Sequence, residues 1–295
     1  MVINNLTVTT NKGRVLISDF SFTLNSGDKI GLIGEEGNGK STLLKIMAGH
    51  DVADYVTWTG KVDSQGDIVA YLPQKPDEGW QGSSLLQFIV KKRPEDEFPL
   101  EIYDEFGELS ELAARVNLPI EFLNSDRSIS TYSGGEKVKA AMAKMLYCHP
   151  TVLLMDEPTN DLDLKTLVWL EEFIRNTDIP MIFISHDETL LENCTNGILH
   201  LEQLKKKSEA RITWSHENYR DYFQRRSEGI IKNNMVAASQ KARLEKQLAR
   251  YRQIYQKVEY RQSTISRQDA HGGQLLKKIM RSLKAQGQKL EEKKE

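Results

Sequence analysis

The chain has 295 residues and a formal net charge of −2, enough for one large domain or for a domain with an appendage. Its 39% apolar and 28% charged residues are ordinary for a soluble globular protein, and no apolar run reaches the length of a membrane span. Two cysteines far apart, Cys148 and Cys194, fit neither a metal pattern nor a disulfide framework, and the N-terminus lacks the charged start and apolar core of a signal peptide. We therefore expect a cytoplasmic protein without membrane insertion.

The first part of the chain, to about Leu123, alternates between strand and helix patterns. Residues 2–24 contain short β-prone runs separated by turn residues. The segment "KIGLIG" (29–34) predicts a buried strand that ends in glycine, and "KSTLLKIMAG" (40–49) predicts a helix closed by glycine. Residues 54–74 return to β-type spacing, and from Ser83 to about Leu123 the pattern is mostly helical with three proline breaks.

The next segments predict a mainly parallel sheet. "KVKAAMAKMLY" (137–147) is an amphipathic helix pattern, and "TVLLMDE" (151–157) and "PMIFISHD" (180–187) are apolar strands joined by a helix over 164–176. Two further strands near 197–216 have an antiparallel character. Strands that alternate with helices favour an α/β fold with a parallel core.

The C-terminal part differs in charge and periodicity. Residues 211–295 hold 20 Lys and Arg against 9 Asp and Glu, so the remainder carries a net −13. Such a basic tail suits either a nucleic acid or a solvated helical hairpin. A narrow apolar seam indicates two long antiparallel helices with a basic tip at 263–273; its residues are Leu244, Leu248, Tyr251, Tyr255, Val258, Leu276, Leu283 and Leu290.

A glycine-rich segment, "GEEGNGKST" (34–42), fits the G-x-x-x-x-G-K-[ST] phosphate loop between a strand and a helix. Backbone N–H groups of such a loop bind phosphates, Lys40 supplies a charge to the β- and γ-phosphates, and the Ser41 hydroxyl can ligate Mg²⁺. The two acidic side chains in the loop would repel a triphosphate, so we expect them to point outward. The candidate residues are Gly34, Glu35, Glu36, Gly37, Asn38, Gly39, Lys40, Ser41 and Thr42.

Four polar residues near strand ends are candidates for metal binding and catalysis. Asp156 and Glu157 end the apolar strand "VLLMDE"; the first suits an indirect Mg²⁺ contact and the second suits orienting or deprotonating a water. His186 could contact a γ-phosphate, although a lone histidine is more often structural. Gln74 could bring its amide to Mg²⁺, although by itself it reads as a surface glutamine.

The segment "YSGGEK" (132–137) looks like a second phosphate loop, with Ser133, Gly134, Gly135 and Glu136 as candidate ligands. Together the segments "GEEGNGKST", "YLPQ", "YSGGEK", "LLMDEPTNDLD" and "ISHD" resemble, in order and separation, the Walker A, Q-loop, signature, Walker B with D-loop, and switch-histidine motifs of the ATP-binding-cassette family. The resemblance covers about residues 2–215 and implies a cassette with a parallel core sheet, an antiparallel β subdomain and a helical subdomain at about 83–147.

That resemblance assigns the two loops to different sites. In the family, ATP lies between the Walker A loop of one cassette and the signature loop of another, so Ser133, Gly134 and Gly135 would face a nucleotide held by a second cassette. Asn160 to Asp163 would follow the dimer seam. The chain would therefore hydrolyse ATP with Mg²⁺ fully only with a partner cassette. Cassettes of the family usually stack the adenine on an aromatic residue at the position of 8–16, and this chain has none there. The choice between ATP and GTP is therefore open.

"DEPTNDLD" and the basic tail resemble the ABC-F branch, although Asp161 and Tyr132 replace a common histidine and leucine. The resemblance implies that residues 216–295 are the linker that the branch inserts into the ribosome, towards rRNA and tRNA, for translation or antibiotic resistance. Candidate RNA contacts are Arg243, Arg250, Arg252, Lys257, Arg261, Arg267, Lys277 and Lys278. The chain is then either the first half of a longer protein or a half-size homodimer. A transporter ATPase subunit and a regulatory binding module remain alternatives.

Overall fold

The computed structural model describes residues 1–64, 66–74, 78–99, 102, 106–160, 162–204, 209–264, 277–285 and 288. The chain divides into two compact units, Met1–Tyr222 and Phe223–Glu295. The expected Asp161 contact, the hairpin tip beyond Thr264, Arg267, Leu276 and Leu290 lie outside the described residues.

Strands form two sheets in the first unit. In chain order they are β1 (Val2–Thr10), β2 (Val15–Thr23), β3 (Lys29–Gly34), β4 (Val56–Asp63), β5 (Val69–Leu72), β6 (Val152–Asp156), β7 (Met181–Ile184), β8 (Gly197–Leu204) and β9 (Glu209–Ser215). One sheet has the order β2-β1-β4 and is antiparallel, and the other has the order β5-β6-β7-β3-β8-β9. The six-stranded sheet is parallel from β5 to β8, as the sequence predicts.

The helices of the first unit are α1 (Lys40–Met47), α2 (Leu85–Val90), α3 (Phe106–Arg115), α4 (Gly134–Tyr147), α5 (Leu164–Asn176) and α6 (Glu188–Cys194). Short 3₁₀ turns stand at Glu78–Trp80, Ile120–Phe122 and Ile129–Thr131. The bounds of α5 match the predicted 164–176. The helix predicted at 137–147 instead begins at Gly134, so the second loop supplies its first turn.

The central strands are buried on both faces, which is the usual state of a parallel sheet covered on both sides. Side chains alternate along β6: Leu153 and Met155 join one apolar cluster with α2 to α6, and Val152 and Leu154 join a second cluster with β1, β2 and α1. The period-two alternation of strand side chains produces this division. Because β3, β6 and β7 run in the same direction, their carboxyl ends lie at one edge of the sheet.

Strand β8 has two different neighbours. It pairs in parallel with β3 and antiparallel with β9, so the antiparallel character expected near 197–216 belongs to only one of its edges. The two cysteines are free, and Cys194 is buried while Cys148 is exposed.

The second unit contains most of a long helix, α7 (Tyr219–Thr264), and a further helical stretch at 277–285. Five seam residues on α7 are partly buried while the residues between them are exposed; they are Leu244, Leu248, Tyr251, Tyr255 and Val258. Leu283 is buried as well. Among the helices of the described ranges, none combines the length and the apolar character that a membrane span requires.

Candidate functional site

The loop between β3 and α1 is shaped by two glycines in left-handed conformations. Gly37 has φ 74° and Gly39 has φ 97°, values that favour glycine because a side chain would be strained there. A Cβ at Gly39 would also lie 3.2 Å from the Cβ of Leu16. The buried Asn38 side chain donates to the carbonyl of Leu201 on β8, 3.1 Å away, and thereby ties the loop to the sheet.

Lys40 begins α1 and is held by its own loop. Its Nζ donates to the carbonyl oxygens of Gly34 (2.7 Å) and Glu35 (3.2 Å). Burial lowers the pKa of the Lys40 ammonium, and the nearby carboxylates of Glu157 and Glu36 oppose that shift. The two carbonyl oxygens carry only partial negative charges, so an anion bound in the loop would be a stronger partner for the Lys40 ammonium.

Asp156, at the end of β6, has both carboxylate oxygens engaged. Its Oδ1 accepts from Ser41 Oγ at 3.1 Å, and its Oδ2 accepts from Tyr71 Oη at 3.2 Å. Burial is the main cause of a strongly raised Tyr71 pKa, and Asp156 adds to it, so the phenol stays a donor. Asp156 therefore lies next to the Ser41 hydroxyl.

Glu157 is the most unusual residue of the site. It has φ 53°, a left-handed conformation that costs a non-glycine residue about 1–3 kcal/mol. Its side chain is only 7% exposed, and His186 Nε2 lies 3.2 Å from its Oε1. Its Oε2 is buried without a hydrogen-bond partner among the described residues. Burial raises the pKa of this carboxyl, although His186 and Lys40 act in the opposite direction.

One cavity of about 410 Å³ brings the first loop and the catalytic candidates together. It is lined by Glu36, Gly37, Gly39, Lys40, Ser41, Thr42, Gln74, Glu157 and His186. Glu35 and Glu36 are both exposed, as expected, but Glu36 still lines the cavity. Gln74 and His186 are exposed and follow the ends of β5 and β7. Because both line the cavity, they are candidates for a role in this site rather than ordinary surface residues.

The signature residues lie elsewhere. None of the described residues that line the 410 Å³ cavity comes from Ser133 to Glu136. Ser133 is instead the N-cap of α4: its Oγ accepts from the Glu136 N–H at 3.3 Å, and Glu136 Oε2 accepts from the Ser133 N–H at 2.7 Å. This reciprocal capping was not foreseen, although Ser-x-x-Glu before an apolar pattern is its sequence signal.

Sequence reasoning also missed Tyr71. Its hydroxyl reaches Asp156 across 85 positions of the chain, and no local pattern announces such a contact. The pairing of β5 with β6 determines the position of Tyr71. Tyr71 lies beside Leu154, one pair before the last paired residues of the two strands.

The residues fit a magnesium ion bound together with a nucleotide. Mg²⁺ usually keeps several waters and takes only one or two protein oxygens besides phosphate oxygens. Ser41, Gln74 and Asp156 provide such a sparse oxygen set. Within the described ranges there is no group of three or more His, Cys, Asp or Glu that could hold a metal alone.

The strand order, the glycine loop and the acidic strand end define a phosphate-loop α/β protein. The sequence profile described as "ABC transporter" matches residues 17–160. The energy-dependent translational throttle protein EttA of Escherichia coli K12 is 30% identical over 270 residues, which cover 81% of this chain and 47% of EttA. ABC transporter F family member 5 of Arabidopsis thaliana is 30% identical over 65% of this chain and 32% of its own length.

Solved structures agree on the fold. A dimeric ATP-binding cassette in a post-hydrolysis state, bound to ADP and phosphate, superposes with a TM-score of 0.54 at 18% identity over 72% of this chain and 97% of its own. The chain belongs to the ABC-F branch of the ATP-binding-cassette family. It spans less than half the length of either curated relative named above.

Proposed function

We propose that this chain is an ATP-binding and ATP-hydrolysing half of an ABC-F protein that acts on the ribosome. The observation that carries the proposal is the 410 Å³ cavity, which gathers Lys40, Ser41, Gln74, Glu157 and His186 from four separate parts of the chain. A phosphate-binding loop, a sparse oxygen set and a buried carboxylate in one cavity are the groups that phosphoryl transfer to water requires.

Each group has a distinct role in the proposed reaction. Loop N–H groups and Lys40 bind the phosphates, and Ser41, Gln74 and Asp156 would hold a magnesium ion, which would neutralise phosphate charge. Glu157 orients the attacking water and accepts its proton. Its raised pKa supports this role because a general base works best when its pKa lies near the working pH. His186, 3.2 Å from Glu157, orients that carboxylate and meets the γ-phosphate.

A second cassette completes the site in this proposal. Ser133 to Glu136 lie at the start of α4, outside the cavity, so they are available to a nucleotide bound by another copy or another cassette. The dipole of α4 favours an incoming phosphate at its N-terminus, where the N–H groups of Ser133 and Glu136 are already engaged in the reciprocal cap. The relative that is a dimeric cassette bound to ADP and phosphate supports this arrangement.

Action on the ribosome is supported by relatives and by charge. EttA is named as a translational throttle protein, and the C-terminal part of this chain carries the basic residues that an RNA contact needs. rRNA and tRNA are the proposed partners of this part.

The test is the solution mass of Glu157→Gln by light scattering, with and without Mg·ATP. The variant should bind ATP without hydrolysing it, so any ATP-dependent assembly would accumulate. A dimer that forms only with Mg·ATP, and that Ser133→Arg abolishes, supports paired composite sites between two copies. A monomer that still binds ATP assigns the partner site to a different cassette. No ATP binding in either form contradicts the proposal.

A further inference from the structure

A second cavity, of about 440 Å³, lies in the first unit between β5, α1, α2 and α4. That volume is in the range of sites for small organic ligands. Its walls are mainly apolar and include Tyr71, Trp80, Phe88 and Met145. Trp80 and Phe88 meet edge to face with their ring centroids 5.2 Å apart, which gives the cavity a rigid aromatic corner.

The charged residues of this cavity are all basic. They are Lys45, Lys92 and Lys144; the imidazole of His50 also lines the cavity, and the described lining residues include no Asp or Glu. Lys144 Nζ lies 3.4 Å from the centroid of the Trp80 ring and 4.8 Å from that of Phe88, so a positive charge stands at the aromatic corner itself. A ligand that places an apolar body against the rings and an anionic group among these cations matches both features.

We propose that this cavity binds a small amphipathic anion, namely a compact aromatic or aliphatic body that bears one carboxylate, sulfonate or phosphate. Apolar burial against the aromatic corner supplies most of the affinity. The cations select the anionic form over a neutral molecule of the same shape. None of the roles proposed for the phosphate loop, Glu157 or the signature residues uses this cavity.

The cavity has a direct contact to the nucleotide site, and this part of the inference rests on the proposed function. Tyr71 lines the 440 Å³ cavity, and its hydroxyl donates to Asp156, which also accepts from Ser41. Pro73 lines the same cavity, and the next residue, Gln74, lines the nucleotide cavity. An occupant that orders β5 and Tyr71 therefore also orders Asp156 and Gln74, two of the proposed magnesium-binding residues. It should thereby strengthen nucleotide binding.

Cys148 provides an internal reporter. It is exposed and lines the cavity. Cys194 is only 6% exposed, and burial raises the pKa of its thiol to about 12, so it is a poor nucleophile. A thiol reagent should thus label Cys148 selectively, and a ligand in the cavity should slow that labelling.

The first experiment compares two fluorescent probes of nearly the same body, the anionic 8-anilinonaphthalene-1-sulfonate and the neutral N-phenyl-1-naphthylamine, on the full chain. Lys45→Met with Lys92→Met should weaken binding of the anion roughly two- to tenfold and change the neutral probe much less. Lys12→Met, on the turn between β1 and β2, is the matched control. Ala141→Phe, which fills the cavity from α4, should abolish binding of both probes and their protection of Cys148.

The second experiment measures the affinity for Mg·ADP with and without the anionic probe. The wild type should bind nucleotide a few-fold more tightly with the probe, and by linkage the nucleotide should tighten the probe by the same factor. Tyr71→Phe should retain the probe and lose the coupling.

If anion binding survives Ala141→Phe, or does not change with the lysine substitutions, the probe is an adventitious additive only and the proposed site is overturned. Equal nucleotide affinity with and without probe would overturn the coupling. A wild type that binds probe but no nucleotide would instead contradict the proposed function, and the coupling with it.

Discussion

Glu157 combines three features that are each costly for folding. Its backbone is left-handed, its carboxyl is buried, and one carboxylate oxygen lacks a partner among the described residues. Strain and uncompensated polar groups concentrate at functional sites, where selection maintains them against their cost. The single residue that the proposed chemistry uses as a base is therefore also a point of local instability.

Glu157→Gln should raise the thermal stability of the nucleotide-free protein at neutral pH. Because the folded-state pKa of Glu157 lies above its ordinary value, stability from the neutral form is fully present below that ordinary value and is lost as pH rises through the raised pKa. Glutamine is neutral throughout. The gain in Tm should therefore be absent near pH 4, appear as pH rises, and level off above the raised pKa.

Differential scanning calorimetry between pH 4 and pH 8 would measure this gain, and each kcal/mol corresponds to about 2–4 °C in a domain of 150–250 residues. Glu111→Gln, an exposed carboxylate on α3, is the matched control and should shift Tm by no more than about 2 °C. A Glu157→Gln variant that is less stable than the wild type at pH 8 would show that the pairing with His186 outweighs the cost of burial.

At the scale of elements, the start of α4 is fixed by its contact with α5. A Cβ on Gly135 would lie 2.5 Å from Thr166 Oγ1. Thr166 is itself held by Asp163, whose carboxylate caps α5 by accepting from the Thr166 N–H at 2.7 Å. The signature turn and the segment expected at the dimer seam are thus one packed unit rather than two independent loops.

Gly135→Ala should therefore destabilise the first unit by about 1–3 kcal/mol, the usual cost of overpacking, even though alanine favours helices. Urea denaturation followed by circular dichroism would measure the change. Gly107→Ala on α3 is the matched control, because a Cβ there meets nothing within 4 Å, and it should be neutral or stabilising. Equal effects at the two glycines would contradict the packing argument.

The sequence predicts elements well where a period and a motif agree. The strand at 29–34 and the helix at 164–176 have the predicted bounds because an apolar pattern ends at a glycine in one case and starts after an N-cap aspartate in the other. The predicted start of α4 at residue 137 is wrong, because two glycines do not indicate a helix, whereas the observed helix begins directly after the Ser133 cap. The Tyr71–Asp156 contact and the left-handed Glu157 depend on strand register and on tertiary packing, which no local pattern contains.

At the scale of the whole molecule, charge is separated along the chain. Residues 211–295 carry a net +11 and the rest a net −13. The acidic part surrounds a site that should bind a polyanion, so the loop and its lysine must act locally against an unfavourable long-range field. The basic part has no such conflict, and its exposed arginines on α7 can meet phosphates directly.

If this basic part binds RNA, the affinity of the full chain for ribosomal RNA should fall steeply with salt. Each phosphate contact contributes a slope of about −0.7 to −0.9 in log K against log salt, depending on whether the RNA is single-stranded or duplex. Arg243, Arg250 and Arg252 are exposed on α7, and replacing all three by glutamine should reduce the slope by up to about 2 to 3. Fluorescence anisotropy at several salt concentrations measures the slope.

The control variant replaces Lys12, Arg115 and Lys165 in the first unit by glutamine. It removes the same charge and should leave the slope unchanged. If both triple variants lower it equally, binding follows net charge alone, and the basic helix is not the contact surface.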